Sequence, residues 1–430
     1  MSAEPVAVTG MGVRCAIGDG VAAFTAALRR GVSGVVGVDD PATAGPACAA
    51  PMPDVDLATA LQGAPAAVAR RAARAAARAP LPIRAAVAVA VEAAAAAGLL
   101  TGALPRERLG VVVAGHNLTG RYAQQVAATL GRAPARVPGR AALRLLDTDH
   151  LGVLSQVLDA AGEGCQVGAA SASGNVGIVT GARLVAVGAV EACVVVGALA
   201  DLTPAETQAL FNLGAMADEP CRPFDAGHRG FVPGQGCAAL VLEHRDSARA
   251  RGATVLAGIA GTAVCLDANS GPDPDEHGEA RAMTAALAAA GRTPGDVGYV
   301  NAHGTGSPLG DRTEAAALCR VFGTGPDRPW VNATKALTGH CLYAAGVVEA
   351  VATIAQLRGG FLHPNPRLFR PVEPALRLVG AEPVAARPVL ALSNGFGFGG
   401  INTSIAIAVE PGSLGSLGSL GSLGSLGSPA

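Results

Sequence analysis

Short apolar runs alternate with helical patterns along the first half of the chain. Four of these runs have the length and the branched side chains of buried strands: Val6–Thr9, Leu109–Ala114, Ala192–Gly197 and Ala238–Leu242. Between them lie alanine-rich segments with helical spacing, of which the longest extends from Leu57 to Gly98 and is interrupted at Pro80 and Pro82. Strands that alternate with helices predict a layered α/β fold.

A second series of strands and helices follows a linker at residues 246–253. Its predicted helices are Glu279–Ala290, Glu314–Phe322 and Ala344–Leu357. The similar order in the two halves predicts an internal duplication, although no repeat is visible in the sequence itself. We therefore divide the chain into an N-terminal half (1–248), a C-terminal half (249–411) and a tail (412–430). The tail contains five copies of Gly-Ser-Leu, a composition typical of disorder.

Composition and charge exclude several classes of function. The net charge of −1 and the lack of basic runs make a nucleic-acid partner unexpected. The most apolar stretch, Ala85–Leu100, is too short for a membrane span and contains Glu92, so we predict a buried helix. The nine cysteines lack both pairing and zinc-type spacing, which favours reduced thiols, a cytoplasmic location and no metal site.

A turn of small residues, Gly164–Gly177, leads into a helical pattern and carries Ser171. Small residues allow the backbone to approach a ligand closely, and a helix N-terminus presents free N–H groups. Nucleophiles and oxyanion sites are commonly built in this way. The same sequence is equally typical of a tight packing turn, so the turn alone decides nothing.

Three further glycine-rich loops each follow a predicted strand in the second half. The first, 301–311, contains His303; the second, 332–340, contains Lys335 and His340. The third, 393–402, contains Phe396 and Phe398. Because α/β folds gather their sites at strand ends, we expect these groups to lie close to Ser171.

The motifs of these loops, H-G-T-G-x-P-x-G-D, T-K-x-x-x-G-H and S-N-x-F-G-F-G-G, resemble the β-ketoacyl synthase branch of the thiolase fold. The resemblance extends from Pro5 to Glu410. It implies a thiolase-like duplicated five-layer α/β/α/β/α fold, an intimate homodimer, and action on acyl thioesters. His303 and His340 match the two active-site histidines of the family, and Lys335 matches the lysine beside them.

The resemblance also implies the roles of several neighbouring residues. Glu349 is the expected partner of Lys335, and Asp311 supports the first loop. Phe398 and Gly399 match the mobile loop that closes the acyl pocket. Phe396 and Thr305 are expected beside the substrate and its oxyanion.

The nucleophile position departs from the family pattern, because the cysteine of its T-A-C-x-S turn falls on Ser171. A helix dipole and a histidine can ionise a thiol near neutral pH, but not an alcohol. Priming with an acyl chain is therefore in doubt, whereas decarboxylation of a malonyl thioester needs only two imidazole donors and a closed site. Two other positions differ from the family, Arg229 in the R-D-G-F loop and Gln235 in the G-E-G element.

The sequence around Ser171 is similar to a narrower group, the Ser-for-Cys ketosynthase-like decarboxylases of polyketide β-branching cassettes. That resemblance implies conversion of malonyl acyl carrier protein (ACP) to acetyl-ACP for an HMG-CoA-synthase-like enzyme. No cofactor is implied beyond the phosphopantetheine of the carrier. Two alternatives stay open: a chain-length-factor-like subunit paired with a ketosynthase, and a serine acyltransferase or β-ketoacyl-ACP synthase in which a histidine activates Ser171.

Overall fold

One twelve-stranded sheet forms the framework of the computed structural model, which describes residues 6–38, 45 and 47–410. The sheet consists of two parts with the same internal strand order, which we call the first sheet and the second sheet, and one pair of strands joins them. The predicted Gly-Ser-Leu tail lies outside these residues. The strands are β1 Val6–Cys15, β2 Gly18–Asp19, β3 Val36–Gly37, β4 Cys48–Ala49, β5 Leu109–Ala114, β6 Gly164–Val167, β7 Ala192–Gly197, β8 Gly236–Glu243, β9 Ala257–Leu266, β10 Tyr299–Asn301, β11 Trp330–Asn332, β12 Phe361–Leu362, β13 Arg377–Leu378, β14 Val384–Ala385, β15 Leu390–Gly397 and β16 Ile401–Ala408.

The main strands pair in the order β13-β11-β10-β15-β16-β9-β1-β8-β7-β5-β6, and β1 and β9 join the two halves. Without the short strands β2–β4 and β12–β14, each half has five main strands. Outward from this junction they lie in the order first, fifth, fourth, second and third, as counted along the chain. The second strand lies parallel to the third and the fourth, and the fifth is antiparallel to its neighbours, in both halves. This order confirms the predicted duplicated α/β fold.

Helices cover the sheets and separate them. The α-helices are α1 Val21–Arg30, α2 Leu57–Ala60, α3 Ala66–Ala76, α4 Leu81–Ala96, α5 Gly120–Arg132, α6 Ala141–Arg144, α7 Thr148–Leu158, α8 Ser173–Ala186, α9 Pro204–Asn212, α10 Arg245–Ala250, α11 Glu276–Ala289, α12 Pro308–Phe322, α13 Lys335–Thr338 and α14 Ala345–Gly359. Helices α8 and α14 form the middle layer, α4 and α7 cover the first sheet, and α11 and α12 cover the second. Each interface has its own apolar cluster.

The two middle helices cross at a pair of glycines near their N-termini. A Cβ on Gly174 would lie 2.8 Å from the backbone nitrogen of Gly346, and one on Gly346 would lie 2.4 Å from Asn175 Oδ1. Real side chains do not tolerate such distances, so glycine is required for this approach. The crossing brings the N-terminal ends of α8 and α14 together.

One local expectation is wrong. The sequence Gly10-Met11-Gly12 predicts that the first strand ends in a turn, but β1 continues to Cys15. The reason is packing against α4, since a Cβ on Gly10 would lie 2.1 Å from the carbonyl oxygen of Ala93 and one on Gly12 would lie 2.2 Å from that of Val89. The glycines therefore serve a close helix-to-strand contact. Among the helices in the described ranges, none is long and apolar enough to cross a membrane.

Candidate active site

A cavity of about 460 Å³ opens where the middle helices begin. The sequence-predicted residues that line it are Ser171, His303, Thr305, Asp311, His340, Phe396 and Phe398. Lys335 and Glu349 lie behind this wall, and Gly399 adjoins it. The four loops predicted from the sequence therefore meet at one place.

Ser171 stands on a tight turn at the start of α8. Ala170 adopts a left-handed backbone conformation (φ +46°), which a residue with a side chain rarely takes. Ser173 fixes the turn, since its Oγ accepts from the Ala169 N–H (2.8 Å) and donates to the Ala170 carbonyl (2.7 Å). The third loop packs closely here, because a Cβ on Gly397 would lie 2.7 Å from the carbonyl oxygen of Ala169. The turn leaves Ser171 half-buried at the cavity wall.

His340 donates a hydrogen bond to Ser171. The two side chains meet at 2.9 Å between Nε2 and Oγ. The Nδ1 atom accepts from the Leu342 backbone N–H at 3.2 Å, so in the neutral ring the proton resides on Nε2. Leu342 provides this N–H from a left-handed conformation (φ +48°). Burial and the nearby Lys335 charge hold the pKa of His340 well below its usual value, so the ring is neutral.

Lys335 fixes the second histidine in the same tautomer. Its buried ammonium donates to the His303 carbonyl (2.6 Å) and to Glu349 Oε1 (2.5 Å), and it faces His303 Nδ1 at 3.4 Å. An ammonium cannot accept, so Nδ1 is the acceptor and Nε2 carries the proton. Burial, Lys335 and His340 lower the pKa of His303 well below its usual value. Burial raises the pKa of Glu349, and Lys335 opposes that rise.

The part of the cavity beside Ser171 offers hydrogen-bond donors to a negatively charged group. The imidazole rings of His303 and His340 lie 5.5 Å apart, centroid to centroid, and each is a neutral N–H donor. The N-terminal ends of α8 and α14 both point to this region, and each contributes about half a positive charge. The site can therefore stabilise an anion without holding a charged histidine.

Glu314 is a site residue that the sequence analysis did not single out. Its two carboxylate oxygens accept from the backbone N–H groups of His303 and Gly304, each at 2.8 Å. The side chain of Asn394 donates to it at 3.2 Å, and burial raises the pKa of Glu314 to about 7. A signal was available, because Glu314 follows Asp311 by three residues on one helix face.

Asp311 accepts hydrogen bonds from the backbone of the first loop and of a neighbouring segment. Its Oδ1 accepts from the Gly306 N–H (3.0 Å), and its Oδ2 accepts from the Phe224 N–H (2.7 Å) and faces His228 Nδ1 at 3.1 Å. Thr305 Oγ1 accepts from the Ser307 N–H at 3.2 Å within the same loop. Both side chains thus hold backbone that lines the cavity.

The third loop contains one buried and one exposed phenylalanine. Phe396 is 7% exposed, and its ring centroid lies 5.5 Å from that of His303. Phe398 is 43% exposed at the cavity mouth. Gly399 has a φ of +87°, and its N–H donates to the Gly271 carbonyl at 3.0 Å. Phe398 therefore lies at the cavity mouth, and the mobility of this loop stays a prediction.

The residues that line the cavity without having been predicted as site residues include His116, Tyr343 and Glu279. His116 follows β5 and packs against Tyr343, with ring centroids 4.4 Å apart and ring planes tilted by 46°. Glu279 is 1% exposed and its Oε2 has no hydrogen-bond partner among the described residues. Neither spacing nor a motif marks these positions in a single sequence.

The two departures from the family pattern lie elsewhere on the molecule. Gln235 Oε1 accepts from the Met52 N–H at 3.1 Å, and Arg229 is exposed, 3.8 Å from Glu219. Neither residue lines the cavity that contains Ser171.

Comparisons with known proteins agree with the family resemblance that the loop motifs indicate. The family profile described as beta-ketoacyl synthase, N-terminal domain, matches residues 3–248, and the C-terminal domain profile matches residues 256–368. A Bacillus subtilis protein, polyketide biosynthesis malonyl-ACP decarboxylase PksF, is 37% identical over 310 residues, which are 70% of this chain and 74% of that protein.

Ordinary synthases are also similar. The chloroplastic 3-oxoacyl-[acyl-carrier-protein] synthase II of Arabidopsis thaliana is 43% identical over 192 residues, but the match covers 44% of this chain and only 35% of the plant protein. The solved structure of the ishigamide ketosynthase/chain length factor superposes with a TM-score of 0.83 at 28% identity, covering 95% of this chain and 99% of that one. The chain belongs to the β-ketoacyl synthase family and has its thiolase-like fold.

Proposed function

We propose that this protein is a ketosynthase-like decarboxylase that converts malonyl-ACP to acetyl-ACP in polyketide biosynthesis. The similarity to PksF supports the reaction, and the serine at the nucleophile position supports it independently. The proposal depends most on one observation, the hydrogen-bond direction between His340 and Ser171.

A serine nucleophile needs a base to take its proton. In this site His340 presents an N–H to Ser171, because its Nδ1 is occupied by the Leu342 N–H. His303 likewise has Nδ1 turned to Lys335. Neither ring offers a free lone pair to the hydroxyl, so the arrangement disfavours acylation of Ser171.

The same two N–H groups suit an enolate. In the proposed mechanism the thioester carbonyl oxygen replaces Ser171 Oγ as the acceptor of the His340 Nε2–H and also accepts from the His303 Nε2–H. The bond between C2 and the malonyl carboxylate breaks, carbon dioxide leaves, and the electron pair moves into the enolate, whose oxygen is held by both donors. Backbone N–H groups near Ser171 and Phe398 complete the oxyanion site.

The other predicted residues take supporting roles in this proposal. Lys335 and Glu349 act as positioning residues, because Lys335 contacts His303 and does not line the cavity. Ser171 holds the substrate or a water by hydrogen bonding. Phe396 and Phe398 exclude bulk water, which strengthens the donors and protects the enolate.

The partners follow from the proposed reaction. The substrate arrives on the phosphopantetheine of an acyl carrier protein, and an HMG-CoA-synthase-like enzyme in the same pathway uses the acetyl product. A homodimer, or a heterodimer with a ketosynthase, and a cytoplasmic location stay predictions.

Incubation of the purified protein with malonyl-ACP tests the proposal. The intact masses of the carrier and of the protein are followed together, with His303→Ala as the matched control for spontaneous loss of carbon dioxide. Conversion to acetyl-ACP by the wild-type protein alone supports the decarboxylase. An acyl group on Ser171 without conversion supports the serine acyltransferase. An unchanged carrier, with co-purification of a cysteine-containing ketosynthase, supports the chain-length-factor-like subunit.

A further inference from the structure

The proposed decarboxylation leaves a chemical requirement that the two histidines do not meet. After carbon dioxide leaves, C2 of the enolate must receive a proton to become the methyl group of the acetyl thioester. His303 and His340 are neutral rings with a single N–H each, already directed at oxygen, and loss of that proton would create an imidazolate. A separate acid is needed, and it must hold its proton near neutral pH.

Glu279 has the required position. It lies in the first turn of α11 and lines the same cavity as Ser171 and the two histidines. Met283, one turn later on the same helix face, touches the side chain of Asn394 (3.4 Å from Sδ to Nδ2), and Asn394 in turn donates to Glu314. Glu314 carries the backbone of the His303 loop. The helix that carries Glu279 therefore packs against the wall that holds His303, and Glu279 lines the cavity beside that wall.

Glu279 is also the carboxyl group that is free to act. The oxygens of Glu314 and Asp311 accept backbone N–H groups of the first loop. Asp267 accepts from Asn402 (2.6 Å) and lies 3.9 Å from Arg281. Asp267 Oδ2 and Glu279 Oε2 are both buried with no hydrogen-bond partner among the described residues. Asp267 is nevertheless tied to Asn402 and lies near Arg281 through Oδ1, whereas no hydrogen bond or ion pair to the side chain of Glu279 occurs among the described residues.

The surroundings keep this carboxyl group protonated. Burial raises the pKa of Glu279 well above its usual value, and the charges that act on it come from four other carboxyl groups: Glu314 and Asp311 on α12, Asp267 after β9, and Asp275 at the start of α11. The nearest cation on the same helix, Arg281, is directed to Asp267. A buried carboxylate without a partner is very unfavourable, whereas the neutral acid avoids that cost. An unsatisfied buried group of this kind calls for a functional explanation.

We propose that Glu279 is the catalytic acid that protonates C2 of the enolate. The O–H bond at Glu279 breaks as the new C–H bond forms, the enolate electron pair becomes that C–H bond, and the thioester carbonyl is restored. Glu279 is left as a carboxylate and regains a proton from water before the next turnover. This inference rests on the proposed decarboxylase function.

The test compares wild type, Glu279→Gln, Glu279→Asp and Glu276→Gln. Glu276→Gln is the matched control, because Glu276 is on the same helix but pairs with Arg320 and does not line the cavity. Each protein is given malonyl-ACP, and acetyl-ACP formation is measured from pH 6 to pH 9. We expect Glu279→Gln to lose about 100-fold in rate, and Glu276→Gln to stay within twofold of wild type.

The pH profile separates a proton donor from a merely structural residue. Wild-type activity should fall as pH rises through the pKa of Glu279, because only the protonated form acts. That alkaline limb should be missing in the residual activity of Glu279→Gln and present in Glu279→Asp. Glu279→Met, of similar volume, replaces Glu279→Gln if the amide variant does not fold.

The experiment distinguishes failure of the proposed function from failure of the role proposed for Glu279. If the wild-type protein forms no acetyl-ACP, the proposed function is wrong. If wild type forms acetyl-ACP and the folded Glu279→Gln variant does so within threefold, with the same alkaline limb, the role of Glu279 is overturned and the decarboxylase proposal stands.

Discussion

The two halves of the molecule use equivalent positions for different purposes. In each half a loop connects the third strand to a middle helix: the Ser171 turn enters α8, and the segment with Lys335 and His340 enters α14. The Ser171 turn is built from small residues and leaves Ser171 half-buried. The segment with Lys335 and His340 is buried, and its Lys335 forms an ion pair with Glu349 on α14. Duplication thus supplies two converging helix N-termini, and the segment before the second of them carries Lys335 and His340.

A second pair of equivalent positions sharpens the contrast. His116 follows the second strand of the first half, and His303 follows the second strand of the other. His116 packs against Tyr343, whereas His303 is held by Lys335 through its ring and by Glu314 through its backbone. The same place in the fold therefore makes a fixed N–H donor only where these buried charged groups orient the ring.

The largest effect is expected from His303→Ala. Loss of one of two enolate donors should reduce acetyl-ACP formation by about 10³-fold. The rate is measured with malonyl-ACP, and circular dichroism checks the fold. Activity within tenfold of wild type would mean that the C-terminal half does not carry the chemistry.

A smaller loss is expected from Lys335→Met. Removing one partner leaves Glu349 as an unpaired buried group, which should lower the free energy of unfolding by about 3–5 kcal/mol. The rate should fall about 100-fold, because His303 loses its orientation. The double variant Lys335→Met/Glu349→Met is the control: it should recover most of the stability but not the rate. Recovery of both would show that Lys335 has only a structural role.

The stability of the protein should depend on pH through His150, a buried histidine of the first half that lies outside the site. Burial lowers the pKa of His150 to about 4, and neither ring nitrogen has a described partner. The unfolded chain, with a pKa near 6.5, binds a proton that the folded chain does not, so this histidine costs stability as pH falls from about 6.5 to about 4.

His150→Leu should therefore be more stable than wild type by a margin that grows as pH falls through this range. Its decarboxylation rate should stay unchanged, because His150 does not line the cavity. Urea denaturation at pH 7.5 and pH 5 measures the margin. A margin independent of pH would contradict the buried neutral state.

The smallest effect is expected from His116→Phe. Phenylalanine keeps a ring packed against Tyr343, and in our account His116 supplies no proton or hydrogen bond to the reaction. The rate should stay within about threefold of wild type, near the size expected for a changed apolar contact. A loss comparable to that of His303→Ala would make the two equivalent histidines partners in the chemistry.

The alternation of strands and helices in the sequence was sufficient to predict the layered fold. The motifs at strand ends were sufficient to predict that the four loops meet. It could not reveal the tautomers, since His340 Nδ1 is fixed by the backbone of Leu342 in an unusual conformation. The close crossing at Gly174 and Gly346 and the buried, unpartnered carboxyl group of Glu279 depend on residues far apart in the chain. The turn predicted at Gly10 and Gly12 was wrong because glycine occurs both in turns and where two backbones pack closely.

The central claim is that Ser171 occupies a nucleophile's position without acting as one. Ser171→Ala, assayed with malonyl-ACP while the intact mass of the protein is followed, tests it most directly. Our account predicts that acetyl-ACP still forms, about tenfold more slowly, and that wild-type protein never gains an acyl group during turnover. Complete loss of activity in Ser171→Ala, together with an acylated wild-type protein, would contradict it.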